Sequence, residues 1–224
     1  SSSGLPSLPE PQEAAREDSA FDLLMIAAFR LAMGRMAGWQ ASDPWLSGPP
    51  GASYSGLVKV ARHLFAASPE LTTSRVIGVL RAFPTKPQLL TANRLSYEIL
   101  GLLTPLLFPF LVGKCSTERW EMAPGKHVRS KVVIERCRFL DGSSCKGMCV
   151  NLCQKPTEDF FNNELKLPMS MVPNFETGGC ELTWGRPPSL LDDTMDLRCY
   201  GTCSTGRAAP ESSVSANPKA AALS

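Results

Sequence analysis

A chain of 224 residues with 43% hydrophobic side chains can bury a substantial core, so its eight cysteines are not needed to staple a mini-protein that lacks one. With 23 basic against 21 acidic residues the net charge is only +2 and no Lys/Arg run stands out, which argues against a nucleic-acid surface. No apolar run reaches the roughly 18 residues of a membrane-spanning helix.

In chain order, residues 1–17 are rich in Ser, Pro and charge and are predicted to be a mobile lead-in. Residues 18–113 read as a helical region. Its first helix starts at a Ser19 cap with Asp22 three residues on, carries Phe21, Leu24, Met25, Ala28, Phe29 and Met33 at helical spacing, and ends near Gly34 to Gly38. The Pro- and Gly-rich stretch 41–53 is a loop in which Trp45 is expected to anchor by packing. A second helix spans Tyr54 to Ala67 and a third Leu71 to Phe83. A fourth covers residues 86–112, with an apolar half from Ile99 to Val112 interrupted by Pro105 and Pro109. Apolar on every side, that half is either a buried core helix or an element at a membrane interface.

The Cys-rich region, residues 114–203, contains the best strand candidate, Val128 to Arg136, leading into Cys137. A helix begins near Pro156 and carries Phe160, Phe161 and Leu165; LPMSMVPNF is extended or looped; Glu181 to Trp184 is a short second strand. Residues 204–224 are predicted to be a disordered tail. The expected fold class is α+β, mostly α, with an N-terminal helical bundle packed on a Cys-rich C-terminal region that holds a small β element.

Cys145, Cys149 and Cys153 fall at i, i+4 and i+8, one face of a helix. At about 1.5 Å rise per residue the outer two stand roughly 12 Å apart, too far to share one small ion from an unbroken helix. A bend at Gly147 or at Asp141-Gly142, a multi-atom iron–sulfur cluster, or completion of the site by Cys137, Cys180, Cys199 or Cys203 would resolve this. Reduced buried thiols and disulfides are the competing readings, although cysteines four apart on one helix make poor disulfides. His63 and His127 are weaker candidates, more often packed or exposed than ligating. No nucleophile elbow or phosphate-binding glycine loop is present, so hydrolase chemistry has little support, and no catalytic residue is singled out.

Three stretches, LVGKC, IERCRFLDGSSCKGMCVNLCQKPTEDFF and LPMSMVPNFETGGCELTWGRPP, together resemble the plastid β-carotene isomerase family, the iron-containing "dwarf" isomerases of strigolactone biosynthesis and their paralogues. The likeness is close over residues 111–188 and looser from Asp18 through the helical region. It implies that Cys137, Cys145, Cys149, Cys153 and Cys180, and less securely Cys199 and Cys203, match the family's metal-binding cysteines; Cys115 matches a typical but undiagnostic position. It further implies iron, alone or as an iron–sulfur cluster, and interconversion of all-trans and 9-cis carotenoids by a protein peripheral to the plastid membrane. A thiolate-held iron centre exchanging one electron with the polyene would lower its rotational barrier. Ile99 to Val112 and the aromatics Phe160, Phe161, Phe175 and Trp184 would then line an apolar path, with core packing as their alternative role. The second functional reading is a non-catalytic iron–sulfur or thiol-bearing subunit docked on a plastid membrane complex.

Overall fold

Residues 17–67, 71–82 and 91–189 are described by the computed structural model. The lead-in up to residue 16, Phe83, residues 86–90 of the expected fourth helix, Cys199, Cys203 and the expected tail lie outside the described residues.

Local chemistry starts the chain as the sequence implies. Ser19 Oγ accepts from the Asp22 N–H at 3.2 Å while the Asp22 carboxylate accepts from the Ser19 N–H at 3.0 Å, and this reciprocal cap opens α1 (Ala20–Ala37). Gly38, at φ 64°, closes it. The apolar side of α2 (Ala52–Ala67), with Leu57, Val60, Ala61 and Leu64, is buried in one core with Ile26 and Met33 of α1. Between the two helices, fully buried Arg30 donates to the carbonyls of Ala41, Asp43 and Pro44 and lies 4.1 Å from the Trp45 ring centroid. Trp45 therefore anchors the loop by covering a buried cation. α3 (Thr72–Ala82) follows.

The next helix is shorter than its apolar run suggests. Asn93 accepts from the Ser96 N–H at 2.9 Å and starts α4 (Arg94–Leu107); the chain bends at Phe108 and restarts as α5 (Pro109–Val112). Pro105 lies inside α4 and has no N–H for the Gly101 carbonyl, which instead accepts from Thr117 Oγ1 at 2.7 Å. Neither all-core nor all-interface describes this helix. Tyr97, Gly101 and Thr104 are buried, while Leu95, Leu102 and Leu106 are exposed.

α4 packs on a four-stranded sheet of order β1-β2-β4-β3, with every pairing antiparallel. The strands are β1 (Cys115–Ala123), β2 (Lys126–Ile134), β3 (Met169–Asn174) and β4 (Gly179–Trp184). A Cβ on Gly101 would stand 2.7 Å from Ser130 Cα, so glycine is what lets α4 meet β2 backbone to backbone. Pro173, within β3, is tolerated because β3 is an edge strand. Sequence reasoning missed β1, whose alternation of Ser, Thr, Glu and Arg carries little apolar signal at the opposite edge of the sheet. Buried residues from Ile26 to Trp184 form one continuous hydrophobic core, so the helical and Cys-rich regions share their interior. The class is α+β and mostly helical, as expected. Among the described residues, no helix is long and apolar enough to cross a membrane.

Candidate functional site

Cys137 lies three residues beyond the end of β2 and occupies the N-cap position of α6 (Arg138–Ser143); its N–H donates to the Gly178 carbonyl at 2.8 Å, tying it to the turn before β4. Ser144 then takes a left-handed conformation, φ 49°, and Cys145 is extended at the start of the next helix. From Lys146 the chain stays helical to Glu164, through α7 (Lys146–Met148), a π-helical stretch Cys149–Gln154, α8 (Lys155–Asp159) and a second π stretch Phe160–Glu164. The break therefore falls at Ser144 and Cys145, upstream of Gly147, which lies buried inside α7. Pro156 sits in the first turn of α8 without starting a new helix, since the π stretch runs into it. π-helical stretches are rare and gather at functional sites.

Cys137, Cys145, Cys149 and Cys180 are buried and Cys153 is half-buried; all five are thiols, as is Cys115. Cys180 reaches the group from β4, where it pairs with Ile134 and Pro173. The five sulfurs are close enough to perturb one another. Burial pushes the Cys149 thiol up most, and negative charge on Cys153, Cys137 and Cys145 adds to it. Cys153 is pushed up to about 12, by burial and then by Cys137. Burial lifts Cys180 well above its ordinary value, followed by Cys149, Cys153, Cys137 and Glu158. Cys149, Cys153 and Cys180 thus favour their neutral forms, and thiolates at those positions need a compensating positive charge. Cys115, at the start of β1, exerts none of these effects.

Beside the shell lies a buried polar unit that sequence reasoning missed. Arg138, next to Cys137, donates to both Asp18 carboxylate oxygens, at 2.6 and 2.8 Å, and to the Phe110 carbonyl at 3.2 Å. Its guanidinium lies 3.8 Å from the Tyr54 ring centroid, and the Tyr54 hydroxyl donates to the Leu111 carbonyl at 2.7 Å. Tyr54 is held well above its ordinary value, chiefly by burial and then by Cys137, while Arg138 opposes the rise. Asp18 and Arg138 are 120 residues apart in the chain, so no local pattern announces the pair.

The aromatics divide. Phe160, Phe161 and Trp184 form an edge-to-face series with centroids 5.4 and 4.8 Å apart, and Trp184 Nε1 donates to Thr104 Oγ1 on α4 at 3.3 Å. Phe175 stands apart from them, 5.3 Å from the Lys146 ammonium. His63 stacks on Trp39 at 4.7 Å, away from the sulfurs, and His127 lines a cleft under α4.

Soft, buried sulfur donors suit iron. A single ion is another matter: among the described residues, no three Cys, His, Asp or Glu side chains are placed to hold one metal ion. The donor chemistry fits and the single-ion geometry does not.

Helices over a small antiparallel sheet, with five cysteines gathered between them, define a cysteine-rich α+β protein. Residues 110–193 match the family model described as Beta-carotene isomerase D27-like, C-terminal. It is 32% identical over 162 residues to the chloroplastic beta-carotene isomerase D27 of Medicago truncatula, an alignment spanning 66% of this chain and 64% of the relative. Against the protein of that name from Arabidopsis thaliana it is 36% identical over 117 residues, 51% of this chain and 44% of the relative. The chain thus spans less than two thirds of the length of either relative. No solved structure matches it. All five shell cysteines fall within the matched residues, whereas Cys199 and Cys203 lie beyond them.

Proposed function

We propose that the protein is a plastid carotenoid isomerase, peripheral to the membrane, that interconverts all-trans and 9-cis double bonds in an apolar polyene. The observation carrying this reading is the five-thiol shell inside the segment that matches the isomerase family, whose relatives are named chloroplastic. Cys137, Cys145, Cys149, Cys153 and Cys180 are the residues that would hold iron, with Cys199 and Cys203 as further donors from outside the described residues. An iron–sulfur cluster suits the set better than one ion, because its bridging sulfides span separations that a single metal cannot. Bound there, such a centre would supply one-electron exchange, the chemistry that lowers the rotational barrier of a polyene double bond without net redox change.

The chain's own residues account for the rest. Phe160, Phe161 and Trp184 connect the composite helix of the sulfur shell to Thr104 on α4 through an apolar, water-poor series. They are the apolar side chains beside the shell that a hydrocarbon chain would meet there. Arg138, beside Cys137, is held by the Asp18 carboxylate and the Phe110 carbonyl and fixes the buried polar unit against the shell.

Protein purified without oxygen, assayed iron-loaded and iron-stripped on all-trans and 9-cis β-carotene, tests the reading. Isomerisation in the loaded form alone is expected, accompanied by a visible absorption band and acid-labile sulfide. Equal rates in both forms would sink the iron mechanism. Stable iron without turnover on any carotenoid would favour the non-catalytic subunit.

A further inference from the structure

α4 carries its apolar side chains on the wrong side for a surface helix. Leu95, Leu102 and Leu106 are 67%, 51% and 69% exposed, and Ile99, Leu103 and Leu107 are exposed beside them. Helices of globular proteins turn such a stripe inward and leave charge outside, and contiguous exposed apolar patches mark interaction surfaces. Here the inward side is already committed: Gly101 meets the β2 backbone and Thr104 meets Trp184.

At the edge of this stripe lies a cleft of ≈ 380 Å³ between α4 and the β1–β2 hairpin, lined by Arg94, Glu98, Leu102, Arg119, His127 and Arg129. Arg94 pairs with Glu98 at 3.1 Å, so the cleft's lone carboxylate is engaged. Arg119 and Arg129 form no ion pair among the described residues. Leu102 belongs to both the stripe and the cleft, and the hydrocarbon and cationic surfaces meet there.

We propose that the outer face of α4 and this cleft form a docking surface for a bilayer carrying anionic phospholipid headgroups. A helix lying in an interface sinks its apolar face about 5–10 Å into the boundary of headgroups and acyl chains. Seated so, the adjoining arginines come to the level of the lipid phosphates, and guanidinium forks match phosphate oxygens. A protein partner or a second copy would explain the leucines but leaves the two unpaired arginines without a role. Among the described residues no helix is long and apolar enough to cross a membrane, so such docking would be at the surface of the bilayer. The inference deepens the membrane part of the function proposed above and rests on that part alone.

Flotation of the full chain with phosphatidylcholine vesicles, with and without phosphatidylglycerol, is the test. Binding that requires phosphatidylglycerol and weakens with added salt is expected. R119A/R129A should bind about 25-fold more weakly, about fivefold per arginine. L102S/L106S should lose binding by tenfold or more on the order of the apolar area withdrawn from the bilayer. Both variants should keep the wild-type circular dichroism spectrum. Equal binding to both vesicle types, wild-type binding by R119A/R129A, or no binding by folded wild-type protein overturns the proposal. So does a dimer dissolved by L102S/L106S in place of vesicle binding. Isomerisation of detergent-dispersed carotenoid separates the two readings: R119A/R129A keeps the wild-type rate, and vesicle binding without any isomerisation leaves the docking surface standing while the isomerase reading falls.

Discussion

Two helices of this protein invert the usual placement of side chains in opposite ways. The composite helix 146–164 and its neighbours gather thiols, an arginine and a tyrosine in the interior, where hydrocarbon ordinarily belongs. α4 holds leucines in the solvent, where charge ordinarily belongs. Exposed hydrocarbon works against folding, and a buried ionisable group is tolerated only where it is paired, as Arg138 is with Asp18. Departures of this kind are the features on which the proposed iron site and the proposed docking surface rest.

Substitutions should separate the two regions by the size of their effect on stability. Removing Arg138 is expected to be the most damaging. Its side chain is 9% exposed and that of its partner Asp18 3%, so Arg138→Ala strands a buried carboxylate and should cost about 3–5 kcal/mol in chemical denaturation. Asp18→Asn, leaving a hydrogen-bonding partner in place, should cost less. A smaller cost attends Gly101→Ala, whose Cβ would press against the backbone atoms Ser130 Cα at 2.7 Å and the Arg129 carbonyl oxygen at 3.0 Å. Overpacking of that sort costs about 1–3 kcal/mol and should appear as a lowered denaturation midpoint.

Within the sulfur shell, Cys149→Ser and Cys180→Ser each place a hydroxyl in a site built for a thiol. In iron-free protein the loss should be about 1–3 kcal/mol, and in iron-loaded protein the visible absorption should fall with it. Cys115→Ser is the control, leaving that absorption intact, because Cys115 is not among the groups that raise Cys149, Cys153 or Cys180. The smallest effect belongs to the outer face of α4: Leu106→Ser should change stability by no more than about 0.5 kcal/mol, since the side chain has little burial to lose. A large loss there would mean that the face is covered in solution, and the contrast between the two regions would collapse.

Much of the local organisation was legible in the chain. The Ser19–Asp22 cap, the proline break before α5 and the apolar side of α2 all act within a few residues, which is the range over which sequence pattern controls the backbone. The cysteine spacing likewise marked the segment that the family model matches. β1 escaped notice because an edge strand with much of its length exposed has little apolar alternation to read. The start of α4 at Asn93 was missed because the apolar run masked its cap. The bend in the sulfur segment was assigned to glycines, yet Ser144 adopts the left-handed conformation.

By itself, the sequence determined the mostly helical class and the cysteine segment, because helical period, capping and motif spacing are properties of neighbouring residues. Tertiary structure alone decided that Cys180 joins Cys137 to Cys153, since only β4 pairing with β2 carries it there. It also decided that Asp18 neutralises Arg138 from the start of α1, and that α4 lays its glycine on the sheet and its leucines in the solvent. An apolar run says that a helix needs cover on some side. Which side receives it depends on what packs first, and here the close approach at Gly101 settled that.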